Sequence, residues 1–446
     1  MHSHQKLAKP AFLFAMLTLS FAILFGGGQG TLGDTLTQLT ALVLLLLLFR
    51  NKPVLHAWPK TSLLVLIPLI PLLIYLLPLP NFITNMGPAR QQLNQSLSPV
   101  IGSLGNQLGF SASATERSIF WILPALVLFL SALHFNKQQK RICIAILLAW
   151  IFVGSVVGLA QKANGLDSPL YFYSNTNFGA AVGFFANSNH FAIAVAACLP
   201  LIWAGLIHLF NLRNKRPVNP LWFVLFTGMA LFFILSFMLS GSRAGLALGM
   251  LGCFLMLPAI IIADQHKGAK HWLFGAMAIG LFFIVQTGLY VVSLQFESDA
   301  LEDLRWQFFP ITAEAANHFA PWGSGPASFW FVFPQFDNFL TGNVIVNHAH
   351  NDYIELWLEM RWIFLIAALI AFGAFFWQGI RVWFLASRFK SDSVLIARAA
   401  WIGTLLLLLH STVDYPLRTT TLSCMLALLV AFSVVVEMKP APVNQE

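Results

Sequence analysis

The chain has 446 residues, 58% of them hydrophobic, 14% aromatic and only 9% charged, with a mean hydropathy of +0.75. So few charges cannot cover a soluble domain of this length, whereas a bilayer-spanning helix needs roughly 20 apolar residues and such runs recur throughout. The net charge of +8 resides mainly in anchors at helix ends, so it implies no nucleic-acid partner.

In chain order the apolar runs predict about twelve transmembrane helices, over 10–28, 35–49, 61–80, 118–135, 141–160, 189–210, 221–240, 244–263, 272–292, 354–380, 395–414 and 418–437. The first lacks the small-residue cleavage pattern of a secretory signal and is read as a helix. No alternating ten-residue strands mark a barrel, so the expected fold is an all-α polytopic membrane protein. No internal repeat or low-complexity linker divides it, which predicts a single integral-membrane domain over 1–446. Cys143, Cys198, Cys253 and Cys424 fall within predicted spans and read as small apolar packing residues.

With the N-terminus inside, 18 of the 25 lysines and arginines fall on the cytoplasmic side. The positive-inside rule therefore favours an N-in, C-in topology. The outer side then carries loops at 81–117 and 164–188 and a large one at about 293–353, long enough for short helices of its own.

Polar clusters recur at that outer boundary. Asn187 and Asn189 precede a helix, where asparagines also serve as N-caps. Arg243 lies in Ser240-Gly241-Ser242-Arg243-Ala244-Gly245, a tight turn between two apolar helices. Exposed N–H groups, a helix start and a guanidinium make a phosphate seat; a snorkelling arginine is the alternative. Arg305 is near Glu302 and Asp303, and a local ion pair would account for it. The densest cluster is Asn347-His348-Ala349-His350-Asn351-Asp352-Tyr353-Ile354-Glu355. Ionisable groups at a membrane boundary are costly unless used. His350 is the acid–base candidate, because imidazole titrates near neutral pH. Asp352 and Glu355 have capping-box spacing, so a helix is expected to start at Asp352. His348, His350 and Asp352 also suggest a metal site, but the spacing is short and a fourth ligand is lacking. His410 and Asp414 have i,i+4 spacing, for which a structural hydrogen bond is the plain reading.

Five segments together resemble the O-antigen ligase family of bacterial envelope glycosyltransferases, a superfamily that includes O-antigen and exopolysaccharide polymerases and protein O-oligosaccharyltransferases. They are Gly183–His190, Ser240–Gly245, Trp322-Gly323-Ser324-Gly325-Pro326 through Phe329, His348–Tyr353 and His410–Pro416. The resemblance implies an inner-membrane enzyme with its active site facing the periplasm. It further implies metal-independent, inverting glycosyl transfer from an undecaprenyl-diphosphate-linked glycan donor, with no cofactor, to a glycan, lipid A-core or protein acceptor. The donor-diphosphate roles fall on Arg243 and Arg305, and the acceptor-hydroxyl role on His350. His348, Asn351, Asp352, Asn187, Asn189, His410 and Asp414 would support them. The chain departs from the family pattern at Arg361 and Phe364, where glycines are usual. The competing class is a flippase or secondary transporter, which would place polar groups at mid-membrane in repeated halves.

Overall fold

The computed structural model describes residues 7–28, 30–50, 60–101, 105–213, 215–263, 275, 300–337, 346–386 and 392–434. Among these the chain is helical, and the only strand-like pairing is an isolated bridge between Gly27 and Phe185. The helices are α1 (Lys9–Phe25), α2 (Thr31–Arg50), α3 (Leu66–Leu76, entered by a 3-10 turn), α4 (Asn81–Thr84), α5 (Pro88–Ile101), α6 (Ala112–Ala132), α7 (Lys137–Asn164) and α8 (Ser188–Arg213). They continue with α9 (Pro220–Leu239), α10 (Arg243–Ala263), α11 (Ala300–His318), α12 (Phe329–Val332), α13 (Asp352–Ile380), α14 (Asp392–His410) and α15 (Thr420–Val434).

Seven of these, α2, α6, α7, α8, α9, α13 and α14, are long and apolar enough to cross a membrane. Shorter apolar helices occupy Lys9–Phe25, Thr61–Leu76, Arg243–Ala259 and Thr420–Val434. Each predicted run coincides with one of these helices except 272–292, which apart from Gly275 lies outside the described residues. The 293–353 segment contains α11 and α12 among its described residues.

The packing centre is α8, buried along most of its length against α9, α10 and α14. Its run of small residues (Ala192, Ala194, Ala196, Ala197) lets neighbours approach closely, as membrane helices require in the absence of a hydrophobic drive between them. Gly403 of α14 meets it so tightly that a Cβ there would stand 2.7 Å from the Ala197 carbonyl oxygen. Outer helices do the reverse. Leu221, Val224 and Leu231 on α9, and Ile366, Leu369 and Phe376 on α13, are exposed, an apolar surface suited to lipid rather than water.

One irregularity positions the site. Helix α13 breaks at Arg361, whose backbone takes φ 41° and ψ −122°. The break frees the Leu358 and Glu359 carbonyls, which accept from the N–H groups of Ser324 (3.1 Å) and Gly325 (2.9 Å). A Cβ at Gly323 would lie 2.5 Å from the Glu359 carbonyl oxygen, so the Trp-Gly-Ser-Gly segment needs its glycine to seat on the break. Arg361 occupies a position whose backbone conformation suits glycine, the residue that the resemblance leads one to expect there. Its side chain is held by Asn317 (Nη1 to Oδ1, 3.1 Å) and stacks on Trp357 at 4.3 Å.

Candidate functional site

Helix α13 begins at Asp352, as the spacing predicts, but its cap differs. Asn351 is the N-cap, and its Oδ1 accepts from Tyr353 N (3.0 Å) and Ile354 N (3.2 Å). Glu355 does not close a capping box; its carboxylate turns back to accept from His348 Nδ1 (2.9 Å) and Ala349 N (2.8 Å). The correction has a simple cause: an asparagine one residue earlier does the capping, which leaves Glu355 for the histidine loop. His350 then takes a left-handed backbone (φ 51°), a conformation histidine tolerates better than most side chains.

The α14–α15 hairpin meets this loop. Asp414, wholly buried, accepts from His350 Nδ1 at 3.1 Å, Asn187 Nδ2 at 3.3 Å and Tyr415 N at 3.0 Å. His190 Nε2 stands 3.8 Å from its Oδ1 and His410 Nε2 4.0 Å from its Oδ2. The expected His410–Asp414 hydrogen bond is therefore too long to be one. Burial by itself would raise the Asp414 carboxyl, but the His350 hydrogen bond and the surrounding imidazoles outweigh it and hold the group well below the usual carboxylate range. An ionised acceptor favours a donor at Nδ1, which in the neutral ring leaves Nε2 as the lone-pair atom. The Tyr415 ring binds the cluster, with centroids 4.3 Å from His348, 4.8 Å from His190 and 5.0 Å from His350.

A second charged cluster adjoins the first. Arg418 reaches Glu359 (3.0 Å), Glu355 (3.4 Å) and Asp352 (3.8 Å), three carboxylates that share one face of α13. Burial would lower the Arg418 guanidinium, and the three carboxylates reverse that and raise it. Asp352 also accepts from Leu417 N at 3.1 Å, locking the hairpin to the start of α13.

His190, His348, His350, Tyr415 and Arg418 all line one cavity of about 1030 Å³. Much of the remaining wall is apolar, built from α3 (Ile67, Leu72), α6 (Ile122, Phe129), α13 (Phe364, Phe372) and α15 (Leu426, Val430). A polar, basic-nitrogen end joined to an apolar trough suits an amphiphile with a reactive headgroup.

The structure thus gathers Asn187, His348, His350, Asn351, Asp352 and Asp414, which are scattered over the sequence. Asn187 caps α8 through Asn189 N (2.8 Å) as well as bonding Asp414, so its cap and site roles coexist. Asn189 contributes that N–H, and neither it nor buried His410 lines the cavity. Arg243 opens α10 beside the first turns of α8, where Gly245 is packed against Ala192, but is not on the cavity wall. In its turn the Ser242 hydroxyl accepts from Gly245 N (3.0 Å) and Ser240 from Ser242 N (3.1 Å), so two of the N–H groups expected for phosphate are already bonded. Arg305 lies in α11, and its side chain is outside the described residues.

Comparison with known families gives one match: residues 228–360 fit the family model described as O-antigen ligase. This segment, under a third of the chain, is similar to the O-antigen ligase family. No curated protein matches the chain. The matched segment contains Arg243, Arg305, His348, His350 and the α13 carboxylates, whereas Asn187, His190, Asp414 and Arg418 lie outside it. The site is therefore completed by elements on both sides of the matched segment. Tyr415 and the Gly26-Gly27-Gly28 strap were not singled out as site residues, and Arg418 drew notice only as a basic residue beside the polar hairpin His410–Pro416. The strap was readable, since consecutive glycines imply close approach: a Cβ on Gly27 would meet the Phe184 carbonyl at 2.4 Å.

Proposed function

We propose that the protein is an O-antigen ligase-like glycosyltransferase that moves a glycan from an undecaprenyl-diphosphate carrier to an acceptor hydroxyl at the periplasmic face of the bacterial inner membrane. The observation that carries this reading is the His350–Asp414 pair facing an amphipathic cavity. In the step, His350 Nε2 takes the acceptor O–H proton and the freed oxygen attacks the anomeric carbon. The bond from that carbon to the diphosphate breaks, and the diphosphate leaves with the electron pair. Asp414 holds the imidazole by Nδ1–H and stabilises the imidazolium that forms.

Arg243 and Arg305 are the proposed cations for the leaving diphosphate, because fixed guanidinium groups stabilise charge as it develops. The outward placement draws support from the opposite end of the bundle. There Arg141 of α7 pairs with Asp392 of α14 (3.2 Å), and His208 of α8 joins them (2.7 Å), among the basic residues that mark a cytoplasmic face. The test is transfer by purified protein in lipid nanodiscs, given a lipid-diphosphate glycan and candidate acceptors. Turnover should persist in EDTA. Loss of turnover with EDTA and recovery with zinc or manganese would replace the arginine scheme with a metal one.

A further inference from the structure

The cavity has a second polar edge that the proton-transfer step does not use. Tyr173, Ser174, Asn175 and Thr176 line it together with Asp34 of α2. Ser174 and Asn175 have no protein hydrogen-bond partner among the described residues, and both are exposed to the cavity side. Asp34 Oδ1 accepts from Thr420 Oγ1 at 3.1 Å, and the Gly30 backbone also bonds the carboxylate. Phe172 exposes its ring beside them.

This edge is firmly built. Thr176 Oγ1 donates to the Ala186 carbonyl at 2.8 Å, and Asn177 Oδ1 accepts from Ser188 N at 2.8 Å. Tyr173 donates to the Phe25 carbonyl at 3.1 Å, and Gly28 is packed so close that a Cβ would meet the Tyr173 ring at 2.7 Å. Between Ala186 and Ser188 sits Asn187, which bonds Asp414 and so touches the group that orients His350. The edge is therefore continuous with the proposed catalytic pair.

Hydroxyls, a carboxamide, one carboxylate and an aromatic face can pair with sugar hydroxyls in both directions while the ring covers their C–H surface. We propose that Asp34, Tyr173, Ser174 and Asn175 form a subsite for an uncharged sugar ring of the acceptor glycan. The assignment to the acceptor rests on the transfer reading above. A donor sugar at the reacting position is bonded directly to a diphosphate, which the Asp34 carboxylate repels. The reacting sugar of an acceptor offers a hydroxyl and has no diphosphate bonded to it.

The test uses the full chain in nanodiscs with two probes, n-octyl-β-maltoside below its micelle threshold and farnesyl diphosphate, read by ligand-observed saturation-transfer NMR against empty nanodiscs. The maltoside should bind, Asp34→Asn or Asn175→Ala should weaken it by roughly tenfold, and equimolar farnesyl diphosphate should not displace it. Unchanged maltoside affinity in the folded Asn175→Ala and Asp34→Asn proteins would overturn the subsite, as would displacement by farnesyl diphosphate. The arms separate the two ideas. Sugar binding that depends on Asp34 alongside turnover indifferent to His350 would leave the subsite standing as a glycolipid site and defeat the transfer reading. Turnover that requires His350 alongside sugar binding indifferent to Asp34 would defeat the subsite alone.

Discussion

Nδ1 of His350 lies 3.1 Å from Oδ1 of Asp414, 64 residues further along the chain. The pairing fixes the imidazole tautomer and leaves Nε2 as the basic atom. Asp414→Asn keeps the shape but offers an amide where a carboxylate was needed, so transfer should fall by about a hundredfold or more. The Asp414 carboxyl is held well below its ordinary value. A depressed carboxyl contributes stability that is complete above the unfolded value, about 3.9, and is lost as pH falls through the folded one. The unfolding-temperature gap between wild type and Asp414→Asn should hence be level from about pH 5 to 8. A gap that closes as pH drops from 8 to 6 would mean that other groups set it.

Arg418 stands among three buried carboxylates while its own side chain is only 13% exposed. Arg418→Met leaves those carboxylates without their cation and should cost about 3–5 kcal/mol. Adding Glu359→Gln removes one of the stranded charges, so the double variant should recover part of the loss. Thermal unfolding in detergent measures both, and strictly additive losses would show that Arg418 and Glu359 are not coupled.

Arg361 gives a sharper backbone test. Its φ of 41° is unfavourable for any residue with a Cβ. Arg361→Gly and Arg361→Ala both lose the Asn317 bond and the Trp357 stack, yet only glycine relaxes the backbone. The glycine variant should be the more stable by about 1 kcal/mol, the reverse of helix propensity. An alanine variant as stable as the glycine one would show that the break is not a point of strain.

Much of the fold was legible because apolar runs declare membrane helices directly, and α8 and α14 match their predicted runs closely. The start of α13 was legible too, but its cap was not. Asn351, Asp352 and Glu355 can all serve near a helix start, and only the His348 loop decides which of them does. His350 stood out because imidazoles are rare in such company. The roles of Asp414 and Arg418 depend on partners at least 59 residues away, and no local pattern encodes that pairing. The edge formed by Asp34 and Tyr173 is harder still to read, since it joins the first turn of α2 to a loop more than a hundred residues further on.

The central claim is that His350 acts on the acceptor proton, and turnover measured beside donor binding in His350→Ala tests it most directly. Purified wild type and His350→Ala should occupy nanodiscs equally and retain the lipid-diphosphate donor to the same extent. Transfer by the variant should fall by roughly 10²–10⁴-fold, the usual range for a general base. A folded His350→Ala protein that keeps more than about half of wild-type turnover, far outside that range, would contradict the account and reduce His350 to a structural histidine.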